Sequence, residues 1–212
     1  MSKSIIITRP NYEKVTSYLF SWSEVIVKLA QSKLYAVHDL QRAKSSRKLF
    51  ESYVNGHKPV FIFMNGHGNS DEITGQDDQV IVDASSHINN SIIYARSCDA
   101  GQKLGMVLVK NGATAFIGYS RKFVFGYLPE KMAHPLDDTL ASFFLDSSNL
   151  IPSTIIKGHS TGEANRRSKD RMYANFRRMI SSVATFEERY ASRWLWSNIN
   201  CQVLIGDDNA KI

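Results

Sequence analysis

The sequence predicts an α/β protein in which a mostly parallel sheet is flanked by helices. Short apolar runs bounded by turn residues recur along the chain, and each has the length and composition of a buried parallel strand. Amphipathic helical stretches lie between these runs, and such alternation is typical of a parallel sheet with helices on both faces. Because no repeat, low-complexity stretch or linker interrupts the pattern, we expect a single domain over residues 1–212.

The first half of the chain contains three predicted strands, two helices and a hairpin. In order, they are a strand at 5–8, a helix at 12–30, a strand at 34–37, a helix at 41–54, a strand at 60–64 and a hairpin at 72–83. Arg9-Pro10 ends the first strand, and the helix after it has its apolar residues on one side of a helical wheel. Asn55-Gly56 is expected to end the second helix. Short β runs on either side of a polar turn predict the hairpin.

The second half continues the alternation. The predicted elements are a strand at 92–96, a helix at 100–110, a strand at 115–118, a long loop at 121–135, helices near 136–145 and 160–192, and a last strand at 202–205. The long helix has a basic arc opposite its apolar residues, formed by Arg166, Arg167, Arg171, Arg177 and Arg178. A solvated face explains this arc, and attraction of an acidic protein is an alternative. A nucleic-acid partner is the weaker alternative, because no aromatic residues alternate with these arginines.

Composition excludes several classes of protein. The 212 residues are 43% hydrophobic and 22% charged, with 26 basic and 20 acidic side chains, as in ordinary globular proteins. No apolar stretch approaches the roughly 20 residues that span a bilayer, so we expect no membrane partner. The N-terminus has no signal-peptide core, and two cysteines do not form a disulfide framework. A cytoplasmic protein with reduced thiols is the simplest expectation.

The sequence shows no metal or cofactor signature. Its cysteines and histidines lack the spacing of a zinc site. Gly66 and Gly68 form only G-x-G, and Asp71 lies where a dinucleotide fingerprint needs glycine or alanine. A phosphate loop of the type G-x-x-x-x-G-K-[S/T] is also absent. We therefore expect neither a metal nor a cofactor.

Two short loops contain candidate catalytic residues. His67 follows the strand at 60–64, and Cys98 follows the strand at 92–96, at the strand ends where open α/β sheets place their ligand sites. A thiol that attacks a carbonyl needs a base and oxyanion donors. His67 can supply the base, and the backbone N–H groups of Gly68 and Cys98 can supply the donors. We also expect a helix to begin just after Cys98 and to favour its thiolate.

These loops resemble those of the caspase–gingipain group of cysteine peptidases, in which one apolar strand ends in His-Gly and the next ends in Cys. Segments similar to the gingipain-like and CHAT-type bacterial members are residues 63–68, 73–75, 94–99, 115–119 and 204–207. The resemblance covers about residues 5–212 and implies a caspase-like three-layer fold. It further implies a cysteine endopeptidase in which His67 is the general acid/base and Cys98 the nucleophile. Gly68 and Cys98 match the oxyanion donors of the group.

The chain departs from its relatives around the cysteine. Residues 97–101 are not the caspase Q-A-C-x-G, and arginine-specific relatives have Asp where this chain has Arg96. Arg96 and Cys98 are two residues apart and face the same side of a strand. We interpret Arg96 as a ligand for an acidic side chain at P1, the substrate residue before the cut. The alternative is that Arg96 pairs with Asp71, Asp77 or Asp99 of this chain. In that case the site could still prefer a basic residue at P1.

Further candidates for substrate binding lie near the cysteine and in the loop at 121–135. They are Asp99, Phe123, Phe125 and Tyr127. Long loops are often functional, and packing of the aromatic residues against the core is the alternative.

The sequence thus predicts a metal-independent cysteine endopeptidase that acts on proteins or peptides. A catalytically silent or partner-activated caspase-like module, which requires an activating protein partner, is the main alternative. A flavodoxin-like protein that binds a small molecule is a weaker alternative, because this chain has no phosphate loop.

Overall fold

A six-stranded sheet forms the centre of the computed structural model, which describes residues 2–212. The strands are β1 Ser4–Arg9, β2 Ala36–Gln41, β3 Phe61–Asn65, β4 Glu72–Thr74, β5 Val80–Asp83, β6 Ile92–Arg96, β7 Ala115–Tyr119 and β8 Gln202–Gly206. The helices are α1 Lys14–Ser32, α2 Arg47–His57, α3 Leu104–Lys110, α4 Thr139–Ile156, α5 Thr161–Met179 and α6 Phe186–Cys201. Within residues 2–212, none of the helices combines the length and the apolar character needed to cross a membrane.

The sheet is parallel except at one edge, which confirms the predicted α/β class. Its strand order is β2-β1-β3-β6-β7-β8, and only β8 runs antiparallel to its neighbour. Strands β1, β3, β6 and β7 are buried along their whole length, which accounts for their continuous apolar sequences. β3 and β6 are neighbours, so the loops that follow them meet at the same edge of the sheet.

The core has a layer on each face of this sheet and a third cluster beyond it. Alternate strand residues point to opposite faces, so Ile5 and Ile7 pack with α1, α4 and α5, whereas Ile6 packs with α2, α3 and the β4–β5 hairpin. The third cluster joins α1, α4, α5 and α6 to the loop after β7, and it contains Phe125. This third cluster lies under the aromatic part of the loop and positions it beside the sheet.

Several predicted boundaries are wrong, and local backbone geometry explains three of them. The strand predicted at 34–37 begins at Ala36, because Leu34 is an exposed turn residue with a φ of 63°. The helix α2 continues through Asn55-Gly56 and ends where Lys58 adopts a left-handed conformation. The helix predicted at 160–192 is two helices, since Thr185 begins α6 with a capping box to Glu188.

The helix predicted near 136–145 is longer than expected. α4 extends to Ile156 and includes Pro152. Proline usually disrupts the interior of a helix because it lacks an N–H donor. Burial of Ile151, Ile155 and Ile156 in the core against the sheet outweighs that cost.

Aromatic residues of α6 adjoin the arginine-rich helix α5, contrary to the expectation from the sequence. The α5–α6 surface consists of exposed large apolar side chains from both helices and the turn between them: Tyr173, Ile180, Val183, Phe186, Tyr190, Trp194 and Trp196. The ring centre of Trp196 on α6 lies 5.9 Å from that of Tyr173 and 5.2 Å from that of Phe176, both on α5. Within α6, the guanidinium of Arg193 lies 3.9 Å from the ring centre of Tyr190 and 4.6 Å from that of Trp194. A single-helix pattern cannot show this arrangement, because the aromatic residues come from the neighbouring helix.

Candidate active site

The two candidate catalytic residues come from the ends of adjacent parallel strands. Asn65 at the end of β3 pairs in register with Arg96 at the end of β6, so His67 and Cys98 follow at the same level. The Asn65 side chain donates to the Thr8 carbonyl at 2.8 Å and so joins the end of β3 to β1. His67 and Cys98 line one cavity of about 250 Å³. The structure therefore brings the predicted pair to one place.

His67 is held by its backbone and has its imidazole beside a carboxylate. Its carbonyl accepts hydrogen bonds from the Ser97 hydroxyl at 2.9 Å and from the Thr74 N–H at 3.0 Å. The first of these bonds joins the loops that carry His67 and Cys98. The Nε2 atom of His67 lies 3.3 Å from Oε1 of Glu13, and the side chain is 38% exposed. With Nε2 facing Glu13, Nδ1 is the nitrogen left for proton transfer.

Glu13 is a functional candidate that sequence reasoning missed. It precedes α1 and caps it, with its carboxylate accepting from the N–H groups of Val15 at 2.8 Å and Thr16 at 2.6 Å. Burial raises the pKa of Glu13, but the hydrogen bonds from Thr16 and Val15 and the charge of His67 bring it below its usual range. Glu13 is thus held as a carboxylate next to His67. Its capping position was readable in the sequence, but its contact with a residue 54 positions later depends on β1 lying beside β3.

The surroundings of Cys98 favour the thiol, whereas the sequence led us to expect a site that favours the thiolate. Its Sγ donates to the Phe123 carbonyl at 3.8 Å. Burial raises the pKa of the thiol and exceeds the lowering effect of the contact with Phe123. The helix expected just after Cys98 begins only at Leu104, so no helix N-terminus adjoins the sulfur. The reason is local: the N–H groups of Asp99 and Gly101 bond to carbonyls that follow or end β7 instead of starting a helix.

The backbone N–H groups expected to hold an oxyanion have no other partner. Within residues 2–212, neither Gly68 nor Cys98 donates its N–H to a backbone or side-chain acceptor. Gly68 faces Ile73 in an isolated antiparallel bridge whose hydrogen bonds are made by the flanking residues. A Cβ at Gly68 would lie 2.2 Å from the Ser97 hydroxyl and 2.7 Å from the Glu72 carbonyl. The site therefore requires glycine at this position.

Arg96 is buried and held by uncharged groups. Its guanidinium donates to Asn65 at 2.7 and 3.0 Å, to Ser148 and Asn149 at 3.0 Å each, and to the Leu19 carbonyl at 3.5 Å. The side chain has no exposed surface, although it lines the cavity. Among residues 2–212 it has no carboxylate partner. The alternative that placed Asp71, Asp77 or Asp99 against it is wrong, and Asp71 pairs with Lys103 instead.

The aromatic residues of the loop after β7 both line the cavity and pack on the protein. Phe123, Phe125 and Tyr127 all border it. Phe125 and Tyr127 lie with ring centres 5.6 and 5.4 Å from that of Tyr18 on α1. Asn198 of α6 fixes the loop, because its side chain donates to the Val124 carbonyl at 2.7 Å and accepts from the Val124 N–H at 3.2 Å. Both interpretations of the loop thus have a structural basis.

Asp99 and the second cysteine lie outside the cavity wall. Asp99 is in a left-handed turn with a φ of 57°, and its N–H bonds to the Arg121 carbonyl. Cys201 is buried, and burial raises the pKa of its thiol to about 11. In the part of the chain that the structure describes, no three His, Cys, Asp or Glu side chains are grouped as a metal site would require.

Comparison with solved structures identifies the fold as caspase-like. The chain is similar to the complex of the pro- and mature domains of the gingipain RgpB of Porphyromonas gingivalis, with a TM-score of 0.59 and 9% sequence identity. The match covers 98% of this chain and 47% of that one, so this chain spans about half the length of that neighbour. No family model and no curated protein matches the sequence. The three-layer fold expected from the resemblance is confirmed, and the likeness concerns the fold alone.

Proposed function

We propose that this protein is a cysteine endopeptidase in which Cys98 is the nucleophile and His67 the general acid/base. The observation that supports this proposal is their placement on one cavity at the ends of β3 and β6, in a caspase-like fold. Two unpaired backbone N–H groups, of Gly68 and Cys98, belong to the same two loops. A nucleophile, a base and oxyanion donors are the parts that acyl transfer requires.

In the proposed reaction, a bound substrate displaces the Cys98 thiol from the Phe123 carbonyl, and His67 accepts its proton. The sulfur attacks the scissile carbonyl carbon, and the N–H groups of Gly68 and Cys98 hold the resulting oxyanion. His67 gives its proton to the departing amine, which breaks the peptide bond and leaves a thioester. Water then attacks the thioester with His67 as base, releasing the acid product and the free thiol. Glu13 orients the imidazole through both steps.

Removal of either member of the pair tests the proposal. We expect Cys98→Ala and His67→Ala each to lower peptide cleavage by about 10³-fold or more, and the double variant to be little worse, because the pair acts as a unit. Cleavage is measured on a mixture of proteome-derived peptides by mapping new N-termini. Cys201→Ala is the matched control, since this thiol lies outside the cavity, and it should retain wild-type activity. Full cleavage by Cys98→Ala would remove the assignment.

The α5–α6 surface supports a second candidate, in which a protein partner controls the site. Trp, Tyr and Arg are the side chains that most often dominate protein interfaces, and here Arg193 is stacked between Tyr190 and Trp194. The segment 161–200 carries eight basic and four acidic side chains. We propose a partner that presents acidic and apolar side chains to this surface. Burial raises the pKa of the Cys98 thiol, and a partner that lowers it would activate the site.

Labelling of Cys98 separates the two candidates. A peptide-based thiol reagent is added to the purified protein with and without extract of the source cells. If the reagent labels Cys98 in the purified protein without extract, the result supports a peptidase that needs no partner. Labelling that needs extract, and that Arg193→Glu abolishes, supports the partner-activated form. Lys110→Glu, at an exposed position of α3 outside this segment, is the charge-matched control.

A further inference from the structure

We infer that the cavity beside Cys98 binds the P1 side chain of the substrate and that it selects an uncharged apolar side chain such as leucine or methionine. This inference rests on the proposed peptidase function and adds the class of substrate. It differs from the acidic preference that the sequence suggested, because the surroundings of Arg96 were not visible in the sequence.

The size and walls of the cavity fit one apolar side chain. Its volume of about 250 Å³ is below the roughly 300–1,000 Å³ of clefts that hold whole small molecules. Val15 and Leu19 of α1 form one wall, and Phe123, Phe125 and Tyr127 form the other. Transfer of an apolar side chain from water to such walls is favourable in proportion to the area that it buries. Cys98 and His67 also line the cavity, so a scissile bond bound at these residues lies beside it.

Arg96 has no free N–H group for an acidic side chain in this cavity. An arginine has five N–H donors, and all five of Arg96 are directed at acceptors in Asn65, Ser148, Asn149 and the Leu19 carbonyl. A substrate carboxylate would have to displace one of these acceptors and leave it buried without a partner. Arg96 lines the cavity, but its side chain has no solvent-exposed surface from which to bind a ligand.

A basic side chain finds no carboxylate among the described residues that line the cavity. Within residues 2–212, no carboxylate lines the cavity, and its charged or titratable lining residues are Arg96, His67, Cys98 and Tyr127. The carboxylate beside His67, that of Glu13, accepts from the N–H groups of Val15 and Thr16 and faces His67. A lysine or arginine would lose its hydration and meet the like charge of Arg96, which has no counter-ion. Exclusion of both charges leaves the apolar walls to decide the preference.

Three matched reagents test the inference. Peptidyl acyloxymethyl ketones that differ only at P1, with leucine, aspartate or arginine, are added to the wild-type protein, and modification of Cys98 is followed by intact mass. We expect the leucine reagent to react on the order of tenfold faster than either charged one, the factor expected for burial of one large apolar side chain. A faster reaction with aspartate or arginine overturns the inference and leaves the peptidase proposal standing.

A change in the cavity wall shows whether this cavity is the pocket. Val15→Phe narrows it, so we expect the leucine reagent to slow about tenfold while a reagent with alanine at P1 keeps its rate. Val25→Phe is the matched control, because Val25 lies on the same helix, is 57% exposed and does not line the cavity. Equal rates in Val15→Phe and wild type with the leucine reagent overturn the inference.

A binding measurement keeps the inference testable if no reagent modifies Cys98, a result that would remove the peptidase proposal. The same peptides, made as fluorescent amides without the reactive group, are titrated against the Cys98→Ala protein. Tightest binding of the leucine peptide supports an apolar side-chain pocket independently of the reaction. Equal binding of the three peptides, or no binding, overturns the inference.

Discussion

Glu13 joins the start of α1 to the imidazole of His67, so one side chain has both a structural and a chemical role. Its carboxylate accepts two backbone N–H groups and lies 3.3 Å from His67 Nε2. A carboxylate in this position fixes the ring orientation and stabilises the imidazolium that forms during proton transfer. We expect Glu13→Gln to lower kcat on the order of tenfold and to leave KM nearly unchanged, as measured with the best P1-leucine peptide.

Thr16→Val separates the two roles of Glu13. The Thr16 hydroxyl completes the cap of α1 by accepting the N–H of Glu13 at 3.1 Å, and it has no contact with His67. Loss of this cap should cost about 1 kcal/mol of the free energy of unfolding. Equal falls in kcat in Thr16→Val and Glu13→Gln would show that Glu13 acts only by supporting the helix.

The pH dependence of Cys98 alkylation tests the resting state of the site. Burial raises the thiol pKa, so at neutral pH a smaller fraction is thiolate than for an ordinary cysteine, whose pKa is about 8.5. We expect the rate of modification by iodoacetamide, followed by intact mass, to rise with pH and to reach half its maximum above pH 8.5. Cys201, with a pKa of about 11, should stay unmodified in the same range. A midpoint near neutral pH would indicate a preformed thiolate.

The sequence indicates the residues of the candidate site more clearly than it indicates their surroundings. His67, Gly68 and Cys98 were predictable because each belongs to a short loop after an apolar strand, which is a local signal. The contact of Glu13 with His67 and the acceptors around Arg96 were not, because they come from α1, β3 and α4, far apart in the chain. The absence of a helix at Cys98 likewise follows from hydrogen bonds to residues near the end of β7.

At the scale of elements, α6 determines the position of the aromatic loop. Asn198 is fully buried and makes two hydrogen bonds to the backbone of Val124, between Phe123 and Phe125. Asn198→Ala leaves the partly buried N–H and carbonyl of Val124 without these partners, at a cost of about 1 kcal/mol. We expect kcat/KM for P1-leucine peptides to fall about tenfold, with lower stability in urea denaturation.

Asn200→Ala is the matched control for this contact. Asn200 lies on the same helix, is exposed, and bonds only to the Trp196 carbonyl of α6 itself. Its replacement should change neither stability by more than about 0.5 kcal/mol nor kcat/KM. Unchanged kinetics in Asn198→Ala would mean that the loop keeps its conformation without α6.

Elements were predictable where one face or both faces of a segment are buried. β3, β6 and β7 lie within a residue of their expected bounds, because continuous apolar runs have few other structures available in a covered sheet. Helix ends were less predictable. The break between α5 and α6 depends on a capping box at Thr185 within a stretch whose helical character continues on both sides.

At the scale of the whole molecule, two buried arginines join the sheet to its helices by different means. Arg9 at the end of β1 is paired with Glu24 of α1 at 2.5 Å and Asp39 of β2 at 2.7 Å. Arg96 has only uncharged acceptors, which belong to β3, α1 and α4. These hydrogen bonds join the three elements to β6. Because Arg96 also lines the cavity, the same side chain gives the site a positive charge. We therefore expect the loss of Arg96 to lower the stability of the fold more than it changes the preference for the P1 side chain.

We expect Arg96→Met to lower the free energy of unfolding by about 3 kcal/mol or more, measured by urea denaturation. Methionine fills much of the space but leaves acceptors of Asn65, Ser148 and Asn149 buried without donors, and several such losses in one network add to a large cost. Arg96→Lys keeps the charge but has three donors where five are used, so it should fall between wild type and Arg96→Met. Arg166→Met, at a 65% exposed position, is the control and should change stability by less than about 0.5 kcal/mol. The contrary outcome is an Arg96→Met protein as stable as wild type together with a less stable Arg96→Lys protein. The free-energy cost of burying the charge would then exceed the stabilisation from its hydrogen bonds, and Arg96 would serve the site rather than the fold.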